Sequence, residues 1–354
     1  MACTFWLSNA FADSVKVTVL SELDRFEPFE GHLFHAGNLW VGRSRKDLGS
    51  FYRLEVFDAN GQILTSQELT HSIRYISPFN DESVLIVGVA LNPNQSFYTV
   101  AQFKNAKLKL KTVMIPESAM ADRGVAKSGN LYFTDPGGLD EGGPLSAPLK
   151  TLFHFGSGPR YLKAKIHGPG QIVTVGNALY VIERPNVFEG GKNLIRVDLA
   201  SEVPQTLFAQ IRDNLNNLIV ARDQLLAMPE RGKDQVLLFD AAKNKLAGAI
   251  KVAAGTPRGL AVLGKCLLVG SELAKQVSFY NIAQTGNPLV GQWDLATAGN
   301  KFLGLRALAV DAKTGRVFAR SAYPCPLQGY CASERNSVIM VTQDSNETFE
   351  KCTK

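Results

Sequence analysis

The chain has 354 residues, a formal charge of +6, 45% hydrophobic and 20% charged residues, and five cysteines. No apolar run approaches the ~18 residues needed to cross a bilayer, so no membrane-spanning helix is expected. Lys and Arg are interleaved with acids rather than gathered in blocks, which argues against a nucleic-acid partner. In chain order, the first twelve residues are uncharged and end in Ala10-Phe11-Ala12 before Asp13. That is a signal-peptidase pattern. Residues 1–12 are therefore expected to be a signal-peptide remnant and 13–354 a single exported domain, periplasmic or secreted, with a lipid at Cys3 as a variant.

A short β-rich run then recurs along the chain: Leu39-Trp40-Val41, Leu85-Ile86-Val87, Leu131-Tyr132-Phe133, Leu179-Tyr180-Val181, Leu225-Leu226-Ala227, Leu267-Leu268-Val269 and Arg316-Val317-Phe318. Successive third residues lie 46, 46, 48, 46, 42 and 49 apart. Each run follows a short turn, often Gly-Asn (Gly37-Asn38, Gly129-Asn130), which is hairpin chemistry. A further strand follows each run, from Tyr52 to Asp58 in the first unit to Ser337 to Gln343 in the last, and a more polar strand comes after it. Four strands per ~45 residues is the signature of a β-propeller blade. The expected fold is all-β, a single β-propeller of about seven four-stranded blades, with six as the alternative. The outermost strand of the last blade comes from Val15 to Leu20 or from Glu347 to Cys352.

In such a fold the connection between second and third strands opens on the face where the innermost strands begin. That connection is long at Gly42 to Phe51, Asp135 to Lys150, Glu183 to Asn193 and Arg320 to Asn336, and long loops on a rigid scaffold carry binding residues. Their expected contacts lie in 43–50, 137–147, 184–192 and 323–334. Counting back from the runs, the residues opening the innermost strands are Glu30, Arg74, Arg123, Gly170, Asn216, Arg258 and Arg306. Four are arginines, and guanidinium groups gathered around one axis require compensating anions. Two sources are open: internal carboxylates (Asp122, Asp135, Glu183, Glu230, Glu272), or an anionic ligand held by Arg74, Arg123, Arg258 and Arg306.

Cleavage after Ala12 would leave four cysteines. Cys325 and Cys331 lie in one Pro- and Gly-containing loop, close enough to form a disulfide in an oxidising compartment. Cys266 sits inside an apolar strand as a small hydrophobe, and its pairing with Cys352 is left open. The five histidines (His32, His35, His71, His154, His167) read as structural. No metal-ligand spacing, nucleophile elbow or phosphate loop is present, so no cofactor is expected from motifs.

The stretch Gly129 to Pro136, GNLYFTDP, with Leu152-Phe153-His154-Phe155, and the pair Glu30-Gly31 resemble the calcium-dependent gluconolactonase and regucalcin family and its strictosidine-synthase-like relatives. That resemblance implies one calcium near the channel, held by oxygen ligands, polarising a lactone carbonyl. Carried over, Glu30 matches the family's glutamate, and Asn216 or Asn217 a later ligand. Asp122-Arg123 stands where an asparagine is expected and Gly170-Gln171 where an asparagine-glycine pair is expected; an arginine there opposes a divalent cation. The first expectation is thus a monomeric binding propeller for an anionic small molecule, a glycan or a protein partner on the long-loop face. The alternative is a calcium-dependent hydrolase with Glu30 and Asn216 as ligands.

Overall fold

The computed structural model describes residues 12–13, 15–23, 31–45, 51–91, 94–115, 121–135, 152–155, 159–183, 191–212, 218–252, 255–271, 273–295, 304–321, 336–343 and 347–354. These residues form seven sheets, six of four strands and one of five. Every expected run lies in or at the start of a second strand, from Asn38–Arg45 in blade one to Val317–Ser321 in blade seven. These second strands are nearly continuous apolar segments because each is packed between neighbouring blades. In blade four, Ala178–Glu183 is buried at all six positions. Between first and second strands the chain reverses at Gly37 (φ +77°) and Gly129 (φ +78°), left-handed positions suited to glycine.

Ring closure resolves the choice between termini. Val15–Leu23 pairs antiparallel with Asn336–Gln343 as the outermost strand of blade seven. The competing C-terminal segment, Glu347–Thr353, is an α-helix, held by Lys351–Glu347 and Lys354–Glu350 ion pairs one turn apart. Thr348 and Cys352, four residues apart, share its buried side. Two further N-terminal residues, Ala12–Asp13, add a parallel fifth strand beside Leu289–Asp294 of blade six. The expected cleavage point after Ala12 falls at this strand, and residues 1–11 lie outside the described residues.

One cysteine pairing that the sequence leaves open is formed. Cys266, taken from its apolar neighbours as a small hydrophobe, is bonded to Cys352 (Sγ–Sγ 2.15 Å). The bond spans 86 residues and fastens the terminal helix to blade six, where the Lys265 N–H also donates to the Cys352 carbonyl at 2.9 Å. Burial and bonding are compatible here, because a disulfide is itself an apolar group. Cys325 and Cys331 lie outside the described residues.

One buried polar chain orders blade two. His71 is fully buried and its ring stacks on Phe97. Its Nδ1 lies 2.7 Å from the Ser72 carbonyl, which can only accept, so Nδ1 carries the proton. In the neutral ring Nε2 then accepts from the Thr99 hydroxyl at 2.7 Å, and Thr99 Oγ1 is 2.8 Å from Thr112 Oγ1. Burial holds the imidazole below its usual value of 6.5 despite the Ser72 bond. The unfolded chain then binds the extra proton more readily than the folded one. The stability contributed by His71 is complete above pH 6.5 and is lost as the pH falls below it. Urea midpoints at pH 5 and 7.5 should differ more for the parent than for His71→Gln; equal differences would remove histidine as the source.

Candidate functional site

The innermost strands of all seven blades converge on one cavity of about 640 Å³ running along the central axis. Its wall is mainly aliphatic, with Ile172, Leu260 and Leu308 among its members. Its size falls in the range of small-molecule sites. Among the described residues that line it there are three arginines and His32, and no Asp or Glu.

Two of those arginines were legible in the sequence, and backbone irregularity aims them. In blade six, Pro257 pairs with Ser271 and Gly259 with Gly270, so Arg258 is the extra residue of a β-bulge. In blade seven, Leu305 pairs with Ser321 and Ala307 with Arg320, which makes Arg306 the extra residue at the equivalent place. Bulges re-aim a side chain and recur beside functional sites. A Cβ on Gly259 would lie 3.0 Å from Leu308 and 3.3 Å from the Ala307 backbone, so the two bulged strands are packed against each other. The third cation, Arg231, was missed by counting strand starts. It opens the 3₁₀ turn Arg231–Lys233 directly after the second strand of blade five. Three consecutive blades therefore present one guanidinium each at the same mouth.

Arg74 and Arg123, the other two arginines of the expected set, share one carboxylate. Arg74 Nη1 lies 3.6 Å and Arg123 Nη1 3.1 Å from the same oxygen of Asp122. Arg123 is buried and its guanidinium stands 5.2 Å from the Tyr75 ring centroid, a cation–π distance. Tyr75 in turn accepts from Gln171, and both face the cavity. Gly170 contributes backbone only, its N–H donating to the Ile182 carbonyl. Of the carboxylates considered as internal partners, Glu183 accepts from the His167 N–H and from Asn193. Glu230 meets Lys233 and Gln235, and Asp135 is buried. Glu272 lies outside the described residues.

Glu30 and Asn216, the positions carried over as calcium ligands, also lie outside the described residues, as do the expected contact stretches except Arg43–Arg45, Gly191 and Lys192. Among the described residues no group of three or more His, Cys, Asp or Glu could hold a metal ion. Of the histidines, His32 lines the cavity, whereas His35 Nε2 donates to the Asn80 carbonyl at 2.5 Å and joins blades one and two.

The backbone is similar to that of solved structures. U3-55K aligns with 92% of this chain and 98% of its own at a TM-score of 0.61 and 9% identity. The RRP9 WD40 repeats align with 93% and 97%, TM-score 0.60, 10% identity. The chain is a β-propeller. A chain of the mitotic checkpoint complex aligns with 96% of this propeller and 98% of its own, TM-score 0.59, 10% identity. No family model matches this chain, and no curated protein matches its sequence. Identities this low carry the fold alone.

Proposed function

We propose that this propeller is an exported binding module that grips the anionic group of a small molecule, glycan or protein partner at the mouth of its central channel. The observation that carries the reading is the pair of equivalent bulges that place Arg258 and Arg306 in the lining of one cavity together with Arg231. A planar guanidinium suits carboxylate and phosphate oxygens in a forked geometry. The aliphatic wall below suits an apolar body attached to that anion. The Cys266–Cys352 bond supports an oxidising compartment. A fold neighbour drawn from the mitotic checkpoint complex keeps a protein among the candidate occupants.

Titration calorimetry with citrate, inorganic phosphate and benzoate tests it. The Arg258→Ala/Arg306→Ala double variant should bind the best of these more weakly by roughly a hundredfold or more, since each charge-assisted bond contributes ~1.5–3 kcal/mol. Arg74→Ala, whose partner is Asp122, should change that affinity little. Equal affinity in the parent and double variant would falsify the proposal. Stoichiometric calcium retained after dialysis and lost with Glu30→Gln would favour the hydrolase instead.

A further inference from the structure

Outer strands of propeller blades present unpaired backbone edges, and most edges in this chain are blunted. The outer pairings of blades one, four, five, six and seven each contain a register break. Blade three ends in a strand of only three residues, Pro159–Tyr161. Blade six is covered by Ala12–Asp13. Such breaks, short strands and covers are the usual means of discouraging edge-to-edge pairing.

Blade two differs. Its outer strand, Lys107–Ile115, pairs with the strand before it over nine residues without a break, from Lys107 with Lys104 to Ile115 with Ser96. It ends its sheet, and no described backbone hydrogen bond reaches its outer side. Its sequence alternates: Leu108 and Leu110 pack toward the core shared with blade one, whereas Lys107, Lys109 and Lys111 are exposed. Val113, in phase with the lysines, packs in the core shared with blade three. The lysines therefore stand on the side of blade three, whose described outer strand is three residues long.

We propose that this edge docks an extended acidic segment of a partner protein, which adds to blade two as a fifth strand. The uninterrupted edge supplies a full ladder of main-chain donors and acceptors, the source of affinity in strand addition. Lysines at every second residue select carboxylates at the matching spacing, because cross-strand pairs of opposite charge stabilise and like charges repel. The same repulsion disfavours a second copy of this chain pairing through the identical edge. A polyanion without a strand backbone would use the lysines and leave the ladder unfilled.

The probe is a soluble ten-residue peptide alternating Glu with Val and Thr, followed by fluorescence anisotropy against the full chain. Binding is expected, with a loss of roughly tenfold for Lys109→Glu/Lys111→Glu, once an unchanged melting temperature shows that this variant is folded. The same peptide N-methylated at every residue keeps its charge and loses every ladder donor, and it should not bind. Equal binding of the methylated peptide, binding of heparin in its place at similar affinity, or no binding of the plain peptide would each overturn the proposal. The methylated peptide keeps the test decisive even if the lysine variant fails to fold.

Discussion

Gly88→Ala should destabilise this propeller by about 4 kcal/mol, although alanine adds a single methyl group. Gly88 lies in the second strand of blade two, under the segment that brings the chain from blade one into the innermost strand. A Cβ there would fall 1.6 Å from the Ser72 carbonyl oxygen and 2.7 Å from His71 Nδ1. Because the first obstacle is backbone, no rotamer change relieves it. Ser72 is also fixed on both sides, its N–H bonded to the Val89 carbonyl at 3.0 Å and its hydroxyl accepting from the Val89 N–H at 3.0 Å. Displacing it strains the core by ~1–3 kcal/mol and breaks buried hydrogen bonds whose orphaned groups cost a further ~1–3 kcal/mol. Gly129→Ala is the control. Nothing lies within 4 Å of its Cβ position, so only the left-handed backbone penalty of about 1–2 kcal/mol applies. Urea midpoints for the two variants decide: a Gly88→Ala loss no greater than that of Gly129→Ala would show that the close approach is unimportant.

The propeller was legible because its period is written in the most buried elements. Second strands such as Leu85-Ile86-Val87 and Leu179-Tyr180-Val181 are apolar at every position, and packing between blades leaves them no freedom to drift toward polarity. Outer strands carry less of this signal. Val15 to Leu20 and Glu347 to Cys352 therefore remained alternatives until backbone pairing separated them, and the helical spacing of Thr348 and Cys352 was the neglected sign. The Cys266–Cys352 bond was hidden for a related reason. An 86-residue separation has no local pattern, so only the ring's closure brings the two sulfurs together.

At the channel, sequence located the strand starts but not the direction in which their side chains point. The same count that found Arg258 and Arg306 also found Arg74 and Arg123, and these four separate into two environments. Arg74 and Arg123 share Asp122, which is adjacent to Arg123 in sequence and could have warned of it. Arg258 and Arg306 are set apart by bulges, which depend on pairing register and have no residue signature of their own. Arg231 follows a second strand instead of opening a first, so a search along strand starts passes it by.

A buried cation joins blades seven and one beside the Phe34–Phe318 stack and the apolar core the two blades share, and replacing Arg320 by Met should cost about 3–4 kcal/mol. Arg320 lies in the second strand of blade seven and is 1% exposed. Its Nη2 donates to the Gly31 carbonyl at 3.0 Å and the Gly42 carbonyl at 2.7 Å, both in blade one. Gly42 N–H also donates to Gly31 at 2.6 Å, so one amino group caps the first rung of the neighbouring blade. Burying a guanidinium is costly, and exchanging a whole buried ionic group for apolar residues can be neutral. Here the acceptors are backbone and stay behind when the donor is removed. The loss of two charge-assisted bonds then outweighs the relief of desolvation. Methionine keeps most of the stem volume, which limits the cavity contribution and isolates the polar one. Hydrogen exchange gives a readout specific to the seam: amides of His32–His35 and Asn38–Arg45 should lose protection in Arg320→Met while those of blade four, across the ring, keep theirs. Uniform loss around the ring would place the effect in global stability and remove Arg320 as the clasp between the first and last blades.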